Sequence, residues 1–361
     1  MSALLKKFDS WLENEGPAAL VIREHLTPVE GLDGVLFPAT FAASEDKTFK
    51  GGYNINAFAD GKNICLIDSV GSQANRIEPL FALQQYTGLV PQVVIIAGTK
   101  KVNLLNAGHR AGDAIVRCSE LQQELHEAFS ELQKGNAEPL AKVAPTSIVF
   151  GAWDSRDTQA KLPRLIASTI RAFDVRELTR SAQFVPAIEY VAQGLLDEPT
   201  DKKTQDAYSG RGFIHVPASG SHGGVIATGG ICRDASLHLA ALRLLTAGED
   251  KQKTLALLRY VLGLALTAFT YPPSGYLRQG CNLVLDPDRP REFSEVHCDG
   301  RRVPATVTQE EAFNYAKATA SEFGIRSDRE VQFDKEKAKM DISGESGISG
   351  KRKPKVAKTG E

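Results

Sequence analysis

The most suggestive functional side chains are polar residues that recur at helical spacing. We predict a helix over residues 162–173, and along it they fall at i, i+3, i+7 and i+10, opposite its apolar positions. They are Lys161, Arg164, Ser168 and Arg171. Regularly spaced cations suit a phosphate backbone, which presents repeating negative charge and requires no base-specific geometry. An ordinary solvated helix face explains the same pattern, while Arg156 just upstream favours nucleic acid.

A second polar group occupies a turn between a predicted strand at residues 63–68 and a predicted helix. The turn, residues 69–76, has the sequence S-V-G-S-Q-A-N-R. Small and hydroxyl residues leave backbone N–H groups exposed at the start of a helix, where an anion is favoured, and Arg76 adds a planar set of donors. Simple helix capping by Ser72 or Asn75 explains much of the same pattern.

Arrangements typical of catalysis or metal binding are weak in this chain. Cys281 or Cys298 could pair with His297 as thiol and base, but no residue is placed to orient the base. The segment Asp286-Pro-Asp288 is better explained as a turn than as a metal site. Five widely spaced cysteines without a C-x-x-C pattern predict reduced thiols, mostly in the core. We therefore expect no catalytic residue, no metal and no cofactor.

Composition and charge exclude several classes of protein. The 361 residues carry 43 Lys and Arg against 44 Asp and Glu, and a net charge of −1 argues against a strongly basic nucleic-acid binder. Charge is nevertheless segregated by segment, which hints at self-assembly between unlike faces. The N-terminus lacks a basic segment followed by an apolar run, so we expect a cytoplasmic protein. The most apolar stretch, residues 254–269, is shorter than the roughly 20 residues that span a bilayer, so we expect a buried helix and no membrane association.

Periodicity and turn residues predict the elements that position these groups. The predicted strands span residues 19–26, 63–68, 92–97, 146–150 and 212–216. The predicted helices span residues 4–12, 162–173, 234–245 and 254–269, or follow the capping pairs Ser119–Gln122 and Thr308–Glu311. Strands interspersed with helices indicate an α/β or α+β fold with large insertions.

Four motifs in a fixed order resemble a known family. They are N-I-C-L-I-D-S-V-G-S-Q-A-N-R at 63–76, G-H-R-A-G-D at 108–113, F-G-A-W-D-S at 150–155 and A-F-T-Y-P-P-S-G-Y-L-R-Q-G-C-N-L-V at 268–284. Together with Lys161, Arg164 and Arg171 they resemble the RAMP-superfamily backbone subunit of type I-G (formerly I-U) CRISPR–Cas interference complexes, the Cascade assemblies. The resemblance runs from about residue 18 to residue 302.

The resemblance implies an α+β fold, a modified RNA-recognition-type (ferredoxin-like) RAMP palm with finger and thumb insertions. Residues 1–330 would form a single domain, with excursions at 27–60 and 198–211. The composition of residues 331–361, rich in Lys and Gly and poor in apolar residues, separately predicts a disordered tail. Several copies would stack along the guide RNA (crRNA) and present it for pairing with target DNA, alongside the other subunits of the complex. Such subunits carry no nuclease site. They hold the RNA backbone in position, while base pairing between guide and target reads the sequence.

The resemblance also implies which residues contact the guide backbone. The candidates in the turn are Ser69, Gly71, Ser72, Gln73, Asn75 and Arg76. The remaining candidates are His109, Arg110, Arg156, Lys161, Arg164 and Arg171.

Two alternative functions stay open. Backbone subunits of related type III complexes cut target RNA with an acidic loop residue, so a metal-dependent RNA endonuclease could use Asp33 or Asp46. A scaffold that binds only other proteins is the third possibility, and it would assemble without nucleic acid.

Overall fold

The structure is a computed structural model that describes residues 2–272 and 274–343, so residues 344–361 of the predicted tail lie outside the described residues. Strands and helices are numbered in chain order. The strands are β1 (Ala19–Pro28), β2 (Thr40–Phe41), β3 (Gly52–Tyr53), β4 (Ile55–Ala57), β5 (Asn63–Asp68), β6 (Val93–Ala97), β7 (Lys100–Asn103), β8 (Ala152–Trp153), β9 (Lys161–Leu162), β10 (Ile166–Phe173), β11 (Val175–Phe184), β12 (Val216–Ala227), β13 (Ile231–His238), β14 (Tyr276–Arg278), β15 (Cys281–Leu285), β16 (Glu292–Val296), β17 (Arg302–Pro304) and β18 (Arg329–Gln332). The helices are α1 (Ser2–Leu5), α2 (Val70–Ile77), α3 (Ala114–Arg117), α4 (Gln122–Gln133), α5 (Glu138–Val143), α6 (Pro145–Phe150), α7 (Lys202–Gly210), α8 (Leu239–Leu242), α9 (Lys251–Thr270), α10 (Gln309–Phe323) and α11 (Lys335–Ser343).

A nine-stranded antiparallel sheet, the main sheet, organises the fold. Its path is β14-β15-β1-β13-β10-β5-β4, with β16 paired to β1 and β17 paired to β16. β1 is long enough to hold two neighbours on one edge, since residues 19–23 pair with β16 and residues 26–28 pair with β15. Helices and antiparallel strands together confirm the α+β class.

Side chains alternate along the central strands, so the main sheet has one buried face and one partly exposed face. The buried face carries the apolar residues Leu20, Ile22, Ile166, Ala235 and Leu237. The opposite face carries Arg23, Arg171 and Asp234, whose side chains remain partly exposed and form a charged cluster.

Helix α9 covers the buried face and contacts β13, α6 and α10. Its length and composition would allow it to cross a membrane, but most of it is buried inside the protein. The predicted buried helix at 254–269 is therefore confirmed. Gly263 lets α10 approach closely, because a Cβ there would lie 2.7 Å from Thr319 Oγ1 and 2.9 Å from Ala316 Cα.

The capping box that opens α10 is also confirmed. Thr308 Oγ1 accepts from the Glu311 backbone N–H at 3.1 Å, and Glu311 accepts from the Thr308 N–H at 2.9 Å. The other capping prediction is wrong, since α4 begins after Leu121 with no side-chain cap and the Ser119 hydroxyl accepts from Leu121 N–H instead.

The two predicted excursions take part in the fold. Residues 27–60 contain three short strands and contact β12, where Leu36 forms a bridge with Val225 and the Tyr53 hydroxyl accepts from Gly224 N–H at 3.0 Å. Residues 198–211 contain α7 and lie in the connection between β11 and β12, which pair as a long hairpin.

The predicted helix over 162–173 is wrong, because residues 166–173 form strand β10 in the middle of the main sheet. Its apolar residues Ile166 and Ile170 are four apart, a spacing that fits both a helix and every second position of a strand. Pairing with β13 and β5 on both sides selects the strand. Most of the predicted helix at 234–245 is also wrong, since it begins in β13 and becomes helical only in α8.

The predicted strand at 146–150 is helix α6 instead. Pro145 occupies its first turn, a position proline favours, and Gly151 ends it with φ +77°. The residues T-S-I-V-F have high strand propensity, but every one is buried, so tertiary packing overrides propensity here. Of the predicted strand at 212–216, only Val216 lies in a strand, as the first residue of β12.

The remaining strand predictions agree with the structure. β1, β5 and β6 coincide closely with the predictions at 19–26, 63–68 and 92–97. The opening helix divides into α1 and a 3-10 turn at Asp9–Trp11.

Regular structure continues beyond residue 331, where we predict a tail. β18 pairs in parallel with β6 and buries Val331, and α11 is held by an Arg117–Asp341 ion pair of 2.7 Å. These long-range contacts hold a segment whose polar composition alone predicts disorder.

Gly263→Ala is expected to lower the free energy of unfolding by about 1–3 kcal/mol, because its methyl group would force α9 and α10 apart. Urea denaturation measures the change. Gly88→Ala is the matched control, since a Cβ there meets nothing within 4 Å. Equal stability of the Gly263→Ala protein and the wild type would contradict the packing argument.

Candidate nucleic-acid interface

The buried carboxylate of Asp68, at the end of β5, fixes the start of α2. The predicted turn at residues 69–76 is wrong in extent, because only Ser69 precedes the helix and residues 70–76 belong to it. Its Oδ1 accepts from Ser72 Oγ at 2.8 Å and from Arg278 Nη2 at 2.6 Å. Its Oδ2 accepts from Gln73 Nε2 at 2.7 Å and from Arg76 Nε at 3.1 Å. One anion therefore holds two guanidinium groups, and the three charges together leave an excess of one positive charge.

The start of α2 is capped locally by Ser69. Ser69 Oγ accepts from Ser72 N–H at 3.2 Å, as expected of an N-cap residue. The first N–H groups of a helix have no partner inside the helix, so those of Val70 and Gly71 are available to an anion. Gln73 points inward instead, where it also accepts from Ser168 Oγ at 3.0 Å.

Arg164 lies over this end of α2. Its Nη2 atom is 3.9 Å from the place that a Cβ on Gly71 would occupy, and its Cγ lies against Gly151. Among the described residues, no hydrogen bond or ion pair joins the Arg164 guanidinium to another group. Burial and the neighbouring Arg110 lower the pKa of Arg164, as expected of a cation without a nearby anion. A phosphate could accept both from this guanidinium and from the helix N–H groups.

Arg110 supports this surface from beneath. Its side chain is 4 % exposed and forms a 2.6 Å ion pair with Glu78. It also donates to Gly151 O at 3.2 Å and to Asn75 Oδ1 at 3.1 Å. Burial raises the pKa of Glu78, and the Arg110 guanidinium opposes that shift. The sequence predicts that Arg110 contacts RNA, whereas its guanidinium is buried and already bound to Glu78, Gly151 and Asn75.

A short hairpin formed by β8 and β9 carries the other basic residues. Trp153 pairs with Lys161 across the hairpin, and Lys161 Nζ lies 5.7 Å from the centre of the exposed indole ring. Arg156 is exposed in the loop that joins the two strands. The hairpin lies next to Arg164 in the chain, because β9 ends at Leu162 and only Pro163 separates it from Arg164.

The structure thus brings the turn, the β8–β9 hairpin and Arg164 into one neighbourhood. His109 is exposed beside Arg110, in the loop that reaches Gly151. The predicted single stripe of Lys161, Arg164, Ser168 and Arg171 is wrong, because the segment is a strand rather than a helix. Ser168 faces α2, whereas Arg171 faces the opposite side of the main sheet, 4.0 Å from Asp234.

Sequence reasoning assigned no role to two residues of this surface. Arg278 is separated from Asp68 by 210 residues, so no local spacing links them. Trp153 lies within the motif F-G-A-W-D-S, where neighbouring Gly and Asp residues are the signal that a turn exposes the aromatic ring.

The acidic residues considered for RNA cleavage lie in the 27–60 excursion. Asp46 accepts from the hydroxyls of Ser44 and Thr48, and these bonds hold its pKa at about 2. The carboxylate therefore organises a local turn. Across residues 2–272 and 274–343, no three His, Cys, Asp or Glu side chains cluster as metal ligands would. Four of the five cysteines are buried and unpaired, which confirms that they mostly fill the core.

Part of the chain matches a known family. Residues 20–177 match the model of a family described as CRISPR-associated protein GSU0053. The matched segment includes β1 from Leu20 onward, helix α2, the β8–β9 hairpin and Arg164. Over these residues the chain is similar to a CRISPR-associated family, which supports the association with CRISPR defence that the resemblance implies. No curated protein matches the chain.

Asp68→Asn is expected to lower the free energy of unfolding by about 3 kcal/mol, because it leaves Arg76 and Arg278 without their shared anion. Urea denaturation measures the effect. Asp60→Asn serves as the control, since its pair with Lys62 is exposed and should contribute less than about 1 kcal/mol. Similar losses in both variants would show that Asp68 does not organise the turn.

Proposed function

We propose that this protein is a non-catalytic, guide-RNA-binding backbone subunit of a type I-G CRISPR interference complex. Copies of it polymerise along the crRNA in the cytoplasm and present the guide for pairing with target DNA, together with the other subunits. Its α+β main sheet corresponds to the RNA-recognition-type palm of the RAMP superfamily. The chain contributes positioning, and base pairing contributes sequence specificity.

The observation that carries this proposal is the position of Arg164. An unpaired guanidinium lies 3.9 Å from the place that a Cβ on Gly71, in the first turn of α2, would occupy, within the segment that matches a CRISPR-associated family. Arg76, Arg156 and Lys161 add positive charge within the same matched segment, and Asp68 is already neutralised by two arginines. Such a confined site holds a phosphate backbone without requiring an overall positive charge.

The charge distribution supports assembly. The segments 1–60 and 184–210 carry net charges of −4 and −3, while 61–183 and 211–302 carry +2 and +3. Unlike segments on neighbouring copies can attract one another, and each copy then contributes its positive surface to the same RNA. Because each copy has a net charge of −1, high affinity for RNA comes mainly from several copies binding the same RNA molecule.

Arg164→Ala is expected to weaken binding of single-stranded RNA about tenfold at low salt, because one charge-assisted contact is lost. The slope of log affinity against log salt should fall by about 0.7, the value for one phosphate on a single strand. Fluorescence anisotropy with a labelled RNA measures both quantities.

Arg302→Ala is the matched control, because this exposed arginine lies on β17 at the far edge of the main sheet. An unchanged salt slope in the Arg164→Ala protein would remove Arg164 from the RNA site. Arg171→Ala, on the opposite sheet face, reports separately whether that face contacts RNA.

Ribonuclease treatment of the purified assembly should separate it into single copies, because the RNA links the copies. Size-exclusion chromatography before and after digestion measures the change. An assembly that contains no nucleic acid and survives digestion would support the protein scaffold instead. Magnesium-dependent cleavage of guide-paired RNA that is lost in Asp33→Ala or Asp46→Ala would support the endonuclease.

A further inference from the structure

Trp153 is a large aromatic side chain displayed on the surface by a short hairpin. Its residue is 57 % exposed, whereas Trp11, the other tryptophan, is 7 % exposed and donates from Nε1 to Glu295 at 2.9 Å. Among the described residues, no other aromatic ring packs against Trp153, and the side chain beside its ring is the cation Lys161. An indole that contributes to no core has a ring face available for a ligand.

The backbone of Trp153 is held rigidly. Its carbonyl oxygen would lie 2.8 Å from a Cβ on Gly112, so the strand packs directly on that glycine. The following residue, Asp154, is buried and accepts from the Thr158 N–H at 2.9 Å and from its hydroxyl at 2.7 Å. The ring is therefore presented by a fixed turn, which reduces the entropy lost when a ligand stacks on it.

The same hairpin is fastened to helix α4. His126 Nδ1 lies 2.8 Å from Asp157, and Gln133 Nε2 donates to Thr158 O at 2.9 Å. These contacts come from two turns of one helix, so the hairpin cannot easily fold inward to bury its tryptophan. The fold itself therefore keeps the indole exposed.

The surroundings of the ring indicate the chemistry of its ligand. Lys161 lies beside the indole, and Arg156 and Arg164 are the nearest basic residues along the same segment. If an apolar protein surface bound the indole, it would remove water from these cations without offering them an anion, which is costly. A nucleotide satisfies both features, because its base stacks on the indole and its phosphate contacts the cations.

We propose that Trp153 is a base-stacking platform for single-stranded RNA. This inference rests on the proposed function and adds that the interface holds a base through its π-face as well as the backbone through its phosphates. Stacking accepts every base, so the platform would hold a guide of any sequence. Lys161 would then position the phosphate next to the stacked base.

The test compares Trp153→Ala and Trp153→Phe in the full chain, with oligouridylate and oligoadenylate of equal length as probes. Trp153→Ala should weaken binding about 5- to 150-fold, the equivalent of the roughly 1–3 kcal/mol that stacking contributes per base. Its salt slope should stay at the wild-type value, because no phosphate contact is removed. Trp153→Phe should retain most of the affinity, since it keeps an aromatic face.

Intrinsic fluorescence gives an independent readout, because the chain has two tryptophans and Trp11 is buried. RNA should quench the wild-type emission and leave the emission of Trp153→Phe, which comes from Trp11 alone, unchanged. Matching circular dichroism spectra of the three proteins establish that both variants fold.

The outcomes separate the two proposals. If the wild type binds no RNA, the proposed function fails and the platform fails with it. If the wild type binds RNA in an Arg164-dependent way, but Trp153→Ala binds equally well without any quenching difference, only the platform is overturned. The platform is also overturned if Trp153→Ala keeps its RNA affinity but no longer associates with other copies of the chain, because the indole would then be a protein-docking residue.

Discussion

The carboxylate of Asp68 determines how the candidate interface is built. A fully buried anion is stable only when its oxygens are satisfied, and Arg76, Arg278, Ser72 and Gln73 supply the four donors. These bonds fix the end of β5, the start of α2 and strand β14 relative to one another. Because two arginines share one carboxylate, the arrangement also makes the surface above it positive. Structural support and electrostatic potential thus come from the same group.

The main sheet separates two sets of polar residues that are adjacent in sequence. Ser168 and Arg171 lie three residues apart on β10, and alternation along the strand places them on opposite faces. Ser168 joins the network beneath α2, whereas Arg171 joins Asp234 and Arg23 on the other face. The candidate interface is therefore confined to the α2 side, and the charged cluster of the other face is a distinct surface.

The parts of the fold that depend on local sequence could be predicted, and those that depend on distant partners could not. The N-I-C-L-I-D strand and the Thr308 capping box are encoded within a few residues, whereas residues 70–76, predicted as part of a turn, form most of helix α2. The Ile166–Ile170 spacing fits two periodicities, and only the neighbouring strands β13 and β5 decide between them. Likewise, the site loops were identifiable from composition, but the contact of Arg278 with Asp68 joins residues 210 positions apart.

The pairing of β1 has a consequence for how the protein folds during synthesis. β1 leaves the ribosome before its partners β13, β15 and β16, which lie more than 200 residues later in the chain. Both of its edges and its apolar residues Leu20 and Ile22 therefore remain without their final neighbours until most of the chain has been made. Contacts of such high sequence separation slow folding and leave strand edges open to aggregation. The nascent chain consequently carries an apolar strand without its full set of neighbours until residues 292–296 emerge.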